Sequence, residues 1–330
     1  MKKTFLLPVL ALLLGMGLPL PAQDGPRGAA EPVPVLTAGR TEAAPEPAPA
    51  LSLCPQTLLL RDGDRLLELS TEDYLCGVLA AEMPASFPEE ALKAQAVAAR
   101  SYLLSRASSG RHPDAAICAD PGCCQAWLGE EALRERWGAD YDANAAKIRA
   151  AVEATAGELL CYEGQPILAA FHSSSDAATE DSAAVWGPRP YLVSVSSPET
   201  EADVPGYRSE LRCWPTDLRD TLLSLRPEAD FSGPIGGWIG EILRDESGRV
   251  AEAELGGVFF SGPELRQLFS LRSTAFSLSL EDGIFVFSVT GHGHGVGMSQ
   301  YGAKVLAERG ADYREILAHY YPGTELVCSA

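Results

Sequence analysis

A length of 330 residues bounds the chain to one large domain or two small ones, and its composition is that of an ordinary globular protein. Against 26 basic residues stand 45 acidic ones, a net charge of −19, which disfavours nucleic acid and anionic lipid as partners. A polymer substrate is therefore expected to be neutral, or held by hydrogen bonds and stacking. At the start, Lys2-Lys3 and an apolar run from Phe5 to about Leu20 have the pattern of an export signal, with a small-residue cleavage point after Ala22. An uncleaved membrane anchor is the alternative, but Pro8, Gly15, Gly17, Pro19 and Pro21 make a poor spanning helix. No cysteine near the cleavage point indicates a lipid anchor. From residue 23 to about residue 55 the chain is rich in Pro, Ala, Glu and Gly without apolar periodicity, which reads as an extended, disordered linker ahead of a folded domain at 56–330.

Tyr74 to Tyr102 reads as a short helix, a tight break and a longer helix. Ser70 or Thr71 can cap the first, with Glu72 and Asp73 in its first turn, where acids suit the helix dipole. Pro84 pushes Met83 out of helical geometry, so the helix ends at about Glu82. Ser86 and Glu89 have capping-box spacing, and the second helix runs to about Ser108, before Gly110. Glu82 is then a lone carboxylate at a helix C-terminus among Ala80, Ala81, Met83, Pro84 and Phe87. On local chemistry it is either a last-turn side chain in water or an acid whose pKa is raised by apolar surroundings and the negative helix end.

The stretch resembles the signature of the stage II sporulation protein D (SpoIID/LytB) family. The likeness runs through Glu82-Met83-Pro84 and Glu90-Ala91-Leu92-Lys93-Ala94-Gln95-Ala96-Val97-Ala98-Ala99-Arg100, with Phe87 where Trp is common and Ser101 in place of Thr.

Farther on, His112, Cys118, Cys123 and Cys124 span a Pro-Gly turn. Thiolates and an imidazole in this pattern suit a closed, structural Cys3His zinc site. A disulfide, most simply Cys118 with Cys123 or Cys124, is the alternative for an exported protein. The resemblance implies zinc, because some family members carry a His/Cys site in this loop and these four residues fall on the matching positions. The other cysteines read as small core residues, or as a terminal staple of Cys54 with Cys328.

An amphipathic helix is expected from Asp142 to Thr155, then a hairpin of 158–161 and 165–171 about Glu163-Gly164. The loop Phe171-His172-Ser173-Ser174-Ser175 leading to Thr179-Glu180-Asp181 and Val185-Trp186-Gly187 resembles a second family signature. No Gly-x-Ser-x-Gly elbow accompanies its serines, so they read as turn formers on one wall of a glycan cleft and not as nucleophiles. Strand pairs are expected at 239–243 with 250–255 and at 276–280 with 284–289, and Ser261 with Glu264 forms a second capping box. Hairpins and separated helices together argue for an α+β fold of mixed helices and antiparallel hairpins forming a cleft.

Gly291-His292-Gly293-His294-Gly295-Val296-Gly297 then brings backbone close to a ligand or to another segment, and leaves its histidines open to metal binding, proton transfer or hydrogen bonding. With Met298-Ser299-Gln300-Tyr301-Gly302, and the closing Asp312 to Thr324 segment, it resembles the rest of the family pattern. Within the cleft so implied, Arg100, His172, Ser173, Ser174, His294, Gln300 and Tyr301 are the expected substrate contacts.

The resemblance implies a lytic transglycosylase that cleaves peptide-free peptidoglycan strands during sporulation engulfment, with Glu82 as the single catalytic acid and no cofactor in the chemistry. It also implies an extracytoplasmic, membrane-associated place between mother cell and forespore, and an amidase and septal engulfment proteins as partners. A non-catalytic wall-binding modifier that stimulates an amidase is the other expectation the family raises.

Overall fold

The computed structural model describes residues 54–328, so the export segment and the linker up to residue 53 lie outside the described residues. Leu58 and Leu60 point inward on either side of the exposed Leu59, and Thr57–Asp62 (β1) folds back on Arg65–Ser70 (β2) in an additional hairpin. The chain passes directly into Thr71–Glu82 (α1), where the Ser70 hydroxyl accepts from the Asp73 N–H and Met83 leaves in extended geometry (φ −122°, ψ 144°).

Glu89–Ser108 (α2) follows, but without the expected capping box. Pro88 is the cap residue, and the preceding turn is closed by the Phe87 N–H on the Pro84 carbonyl. Proline has no N–H of its own to satisfy at a helix start, so no side-chain cap is needed there. Apart from Lys93, the 20-residue helix α2 is buried on all sides from Ala91 to Leu104, alanines providing much of that surface. Small side chains let neighbouring elements approach closely, and α2 becomes the axis of the larger core. Against it pack Tyr141–Ala154 (α4), reached through Ile117–Cys118 (β3, parallel to β1) and Glu130–Trp137 (α3).

Glu158–Tyr162 (β4) and Gln165–Pro166 (β5) form the expected hairpin, shorter on its second side, since 167–170 runs buried without strand pairing until Phe171–His172 (β6). A second core follows. Arg208–Cys213 (β7), Pro215–Leu225 (α5), Ile239–Arg244 (β8), Val250–Leu255 (β9), Val258–Ser261 (β10), Gly262–Leu268 (α6), Phe276–Glu281 (β11) and Ile284–Thr290 (β12) enclose Phe260, Phe276, Phe285 and Phe287. Its two sheets are antiparallel, ordered β10-β9-β8 and β11-β12-β7. The Ser261–Glu264 capping box is present.

The chain then returns to the first core through Met298–Ser299 (β13), Gln300–Glu308 (α7), Tyr313–Tyr320 (α8) and Glu325–Cys328 (β14), the last pairing with β4. Parallel pairing of β13 with β6 joins the second and third signatures. The architecture is mixed α+β, as expected, with the second core inserted at 208–290 between those signatures.

Candidate active site and cysteine cluster

Three segments distant in sequence converge on Glu82. Helix α1 carries it at its last residue, the 125–129 strap passes over the helix end, and α7 begins beside it. The Ala126 N–H donates to Glu82 Oε1 at 2.9 Å and the Gln300 side-chain amide to Oε2 at 3.3 Å. The strap is anchored on both sides of that amide: Gln125 donates to the Tyr74 hydroxyl and the Ala99 carbonyl, and the Leu128 N–H to the Gly77 carbonyl. Trp127 lies so close to Gly77 that any side chain at that position would overlap its indole. Half-buried, the Glu82 carboxyl has its pKa raised by loss of water, against the two donors, which act to lower it. No neighbouring carboxylate contributes to that shift.

Tyr301 follows Gln300 and packs edge-on against Phe87, ring centroids 5.1 Å apart. Its N–H donates to the Ser173 carbonyl, which also accepts from the Ser299 hydroxyl. Of the expected substrate contacts, then, Gln300 meets Glu82 directly, and Tyr301 and Ser173 lie on the segments next to it.

Three others are placed inside the protein, which corrects their expected role. Arg100 is 0% exposed, its guanidinium donating to the Val152, Thr155 and Glu158 carbonyls where α4 ends, with Glu72 at 3.4 Å. It closes a helix terminus and has no surface to offer a glycan. His172, 4% exposed, donates from Nδ1 to the Val296 carbonyl (3.3 Å) and accepts the Ser175 hydroxyl at Nε2 (2.6 Å). Burial and the charges of Arg249 and Arg266 hold it neutral, well below the ordinary histidine range. Ser174 is 1% exposed, its N–H on the His292 carbonyl.

His294 accepts the Val296 N–H at Nδ1 and lies under Trp186, ring centroids 4.7 Å apart; burial and Arg266 push its pKa down to about 4. The alternating glycines serve another chain segment and not a ligand. Gly291, Gly293, Gly295 and Gly297 all have positive φ, and a Cβ on them would strike the Ser174 carbonyl, His172, the Arg249 guanidinium and the Ala170 carbonyl in turn. Beside this seam Glu199 accepts the Ser175 N–H (2.7 Å), the Ser299 hydroxyl and the Ser197 hydroxyl (2.5 Å), a network no sequence pattern announced.

In the cysteine loop, the ligand atoms of His112, Cys118, Cys123 and Cys124 all lie within 4.8 Å of one another. His112 Nε2 is 3.3 Å from Cys124 Sγ and 3.7 Å from Cys123 Sγ, and the two sulfurs are 3.9 Å apart. A tetrahedron with Zn–S of about 2.3 Å and Zn–N of about 2.0 Å separates its donors by roughly 3.5–3.8 Å, so the set fits zinc. The Cys123 and Cys124 N–H groups both donate to the Asp120 carbonyl, and Arg111 donates to Cys123 Sγ and lowers that thiol's pKa. Burial pushes Cys118 up to about 12, so it would ionise only against a cation.

Comparison with known proteins places the chain in a family. Residues 63–162 match the family described as Stage II sporulation protein, a span that holds both α1 and the cysteine loop. Stage II sporulation protein D of Bacillus subtilis (strain 168) is 33% identical over 323 residues, covering 96% of this chain and 92% of that one. Its counterpart in Bacillus amyloliquefaciens is 36% identical over 259 residues, 77% of this chain and 73% of that one. The amidase enhancer of Bacillus subtilis (strain 168) is 31% identical over 300 residues, 76% of this chain but 40% of its own. With likeness of this extent running through both cores and all three signature segments, the chain is a member of the stage II sporulation protein D family.

Proposed function

We propose that this protein is a lytic transglycosylase that cuts peptide-free peptidoglycan glycan strands during sporulation engulfment, leaving 1,6-anhydromuramyl ends. One observation carries the reading: a single half-buried carboxyl with raised pKa, oriented by two protein donors and with no second carboxylate acting on it. Ordinary glycosidases need two acidic groups, an acid and a nucleophile or base, about 5–9.5 Å apart. Where the sugar's own C6 hydroxyl attacks, the second group is dispensable, because the step is intramolecular and has a high effective molarity.

The Ala126 N–H holds Oε1 as an acceptor at 2.9 Å, and the longer 3.3 Å bond from Gln300 makes Oε2 the oxygen that carries the proton. From Oε2 that proton passes to the glycosidic oxygen as the C1–O bond breaks. The carboxylate so formed takes the C6 hydroxyl proton as that oxygen closes on C1, which restores the acid. The cysteine cluster, filled with zinc by His112, Cys118, Cys123 and Cys124, would have four protein ligands and no open position, so the metal would supply rigidity only.

The name of the amidase enhancer relative favours a second reading, in which the chain binds wall glycan and stimulates an amidase without a product of its own. Mass spectrometry of denuded glycan strands incubated with the purified protein separates the two. New anhydromuramyl ends are expected; glycan binding and faster amidase release with no new ends would establish the modifier. Export through residues 1–22, a linker at 23–55 and one catalytic domain at 56–330 belong to the same proposal, as do an extracytoplasmic location and septal engulfment partners.

A further inference from the structure

On the side of α1 turned away from Glu82 lies a cavity of about 440 Å³ that the proposed chemistry does not use. Helical spacing sets it there. Asp73, Cys76, Gly77 and Ala80 line it, and at about 3.6 residues per turn all four project roughly opposite to Glu82. The 125–129 strap, α3 and α4 close its other sides. Its volume falls within the roughly 300–1,000 Å³ of small-ligand sites. Acid and cavity share one strap: Ala126 donates to Glu82, and the next residue, Trp127, lines the cavity.

The chemistry of the cavity changes with depth. Ala80, Leu133 and Ile148, all buried, make an apolar bottom. Trp127, Trp137 and Tyr141, each half-buried, present aromatic rings above it, the last two with centroids 6.2 Å apart. At the rim Asp73 pairs with Arg149 at 2.8 Å, both about half exposed, and Glu130 pairs with Arg134 at 2.8 Å. Each rim charge is thus matched, and burial pushes the Cys76 thiol up to about 11, so it adds none. An ionic ligand would have to break one of these pairs. A wholly apolar one would leave the rim's carboxylate acceptors and guanidinium donors unused. The match is a neutral ring with C–H faces for the indoles, hydroxyls for the rim and a small apolar substituent for the bottom.

We infer that this cavity binds an N-acetylhexosamine of a glycan strand at a non-catalytic subsite separate from the acid. The ring lies against Trp137, its hydroxyls meet Asp73 and Arg149, and the acetamido methyl enters toward Leu133 and Ile148. The inference rests on the glycan reading above for its strand, and on the cavity's own walls for the acetamido sugar. Such a subsite grips the polymer on the far side of α1 and leaves the acid free to act.

Titration of two neutral trisaccharides into the full chain tests the assignment without turnover: chitotriose, which carries acetamido groups, and cellotriose, which has hydroxyls in their place. The readout is the indole N–H resonance of Trp137, assigned by its loss in Trp137→Phe. Chitotriose should shift it, with cellotriose weaker by about tenfold or more. Ala145→Phe, which fills the cavity from α4, should weaken the chitotriose response by about tenfold or more. Ala146→Phe, at an exposed position of the same wall, is the second variant and should do likewise. Equal binding of the two trisaccharides, a Trp137 resonance unmoved by chitotriose, or an undiminished response in both variants overturns the proposal. Chitotriose-selective shifts in a protein that makes no anhydro ends would support this site and refute the transglycosylase reading. Anhydro ends from a protein whose Trp137 resonance ignores saturating chitotriose would do the reverse.

Discussion

At the end of α1, Glu82 keeps part of its carboxyl open and is held by one backbone amide and one side-chain amide. Across the β6–β13 seam, His172, Ser175 and Glu199 are closed over completely and satisfy one another. Both places draw on signature residues, and by residue type the second, with a histidine, serines and the added acid Glu199, is the more tempting catalytic site. Access and titration reverse that order. His172 is kept neutral and walled in by glycine backbone, so it has neither a proton to give nor a substrate to reach. Burial raises the Glu82 pKa against its two donors, and its carboxyl is only half-buried, as the proposed acid role requires.

The largest effect that could break this contrast is at the acid itself. Glu82→Gln should lower turnover by a factor of about 10² to 10⁴, measured as anhydromuramyl ends released per folded molecule. Its melting temperature at neutral pH should hold or rise, because burial penalises the ionised form of the carboxyl and glutamine has no ionised form. On the other side of the seam, Glu199→Ala strands three donors and should cost about 3 kcal/mol or more of stability in denaturant unfolding. Cys124→Ser should lower the bound zinc, expected at one per chain by elemental analysis, together with the melting temperature.

A smaller effect sharpens the comparison through its sign. The folded chain refuses protons at His172 and His294 that the unfolded chain accepts below about pH 6.5, so their contribution to stability is lost as pH falls through that range. Glu82 acts oppositely. Its raised pKa means that the folded chain holds the extra proton, and its contribution declines as pH rises from the ordinary glutamate value to the raised one. Least of all, Gln300→Ala removes a donor that lowers the Glu82 pKa. The alkaline limb of the rate profile should then move to higher pH, with turnover changed by about tenfold or less.

Local rules made much of this legible. Pro84 ending α1 after Glu82, the Ser261 box and the Asp282-Gly283 hairpin turn all depend on residues within a few positions of one another. The cysteine cluster was legible for the same reason, its four ligands lying on one short loop. What sequence hid is what only the assembled fold decides. Arg100 has the look of a binding cation until its three carbonyl partners, more than fifty positions away, are in place. The Ala126 amide carries no side-chain signal. The Ser86 box failed because Pro88 can open a helix without one.

The central claim is that one carboxyl stays protonated at the end of a short helix. Carbon-13 NMR titration of Glu82 in the folded protein, assigned by the loss of its resonance in Glu82→Gln, measures this directly. A midpoint clearly above the usual glutamate value of about 4.3 is the predicted result. A midpoint at or below that value, unchanged when glycan is bound, would contradict the account.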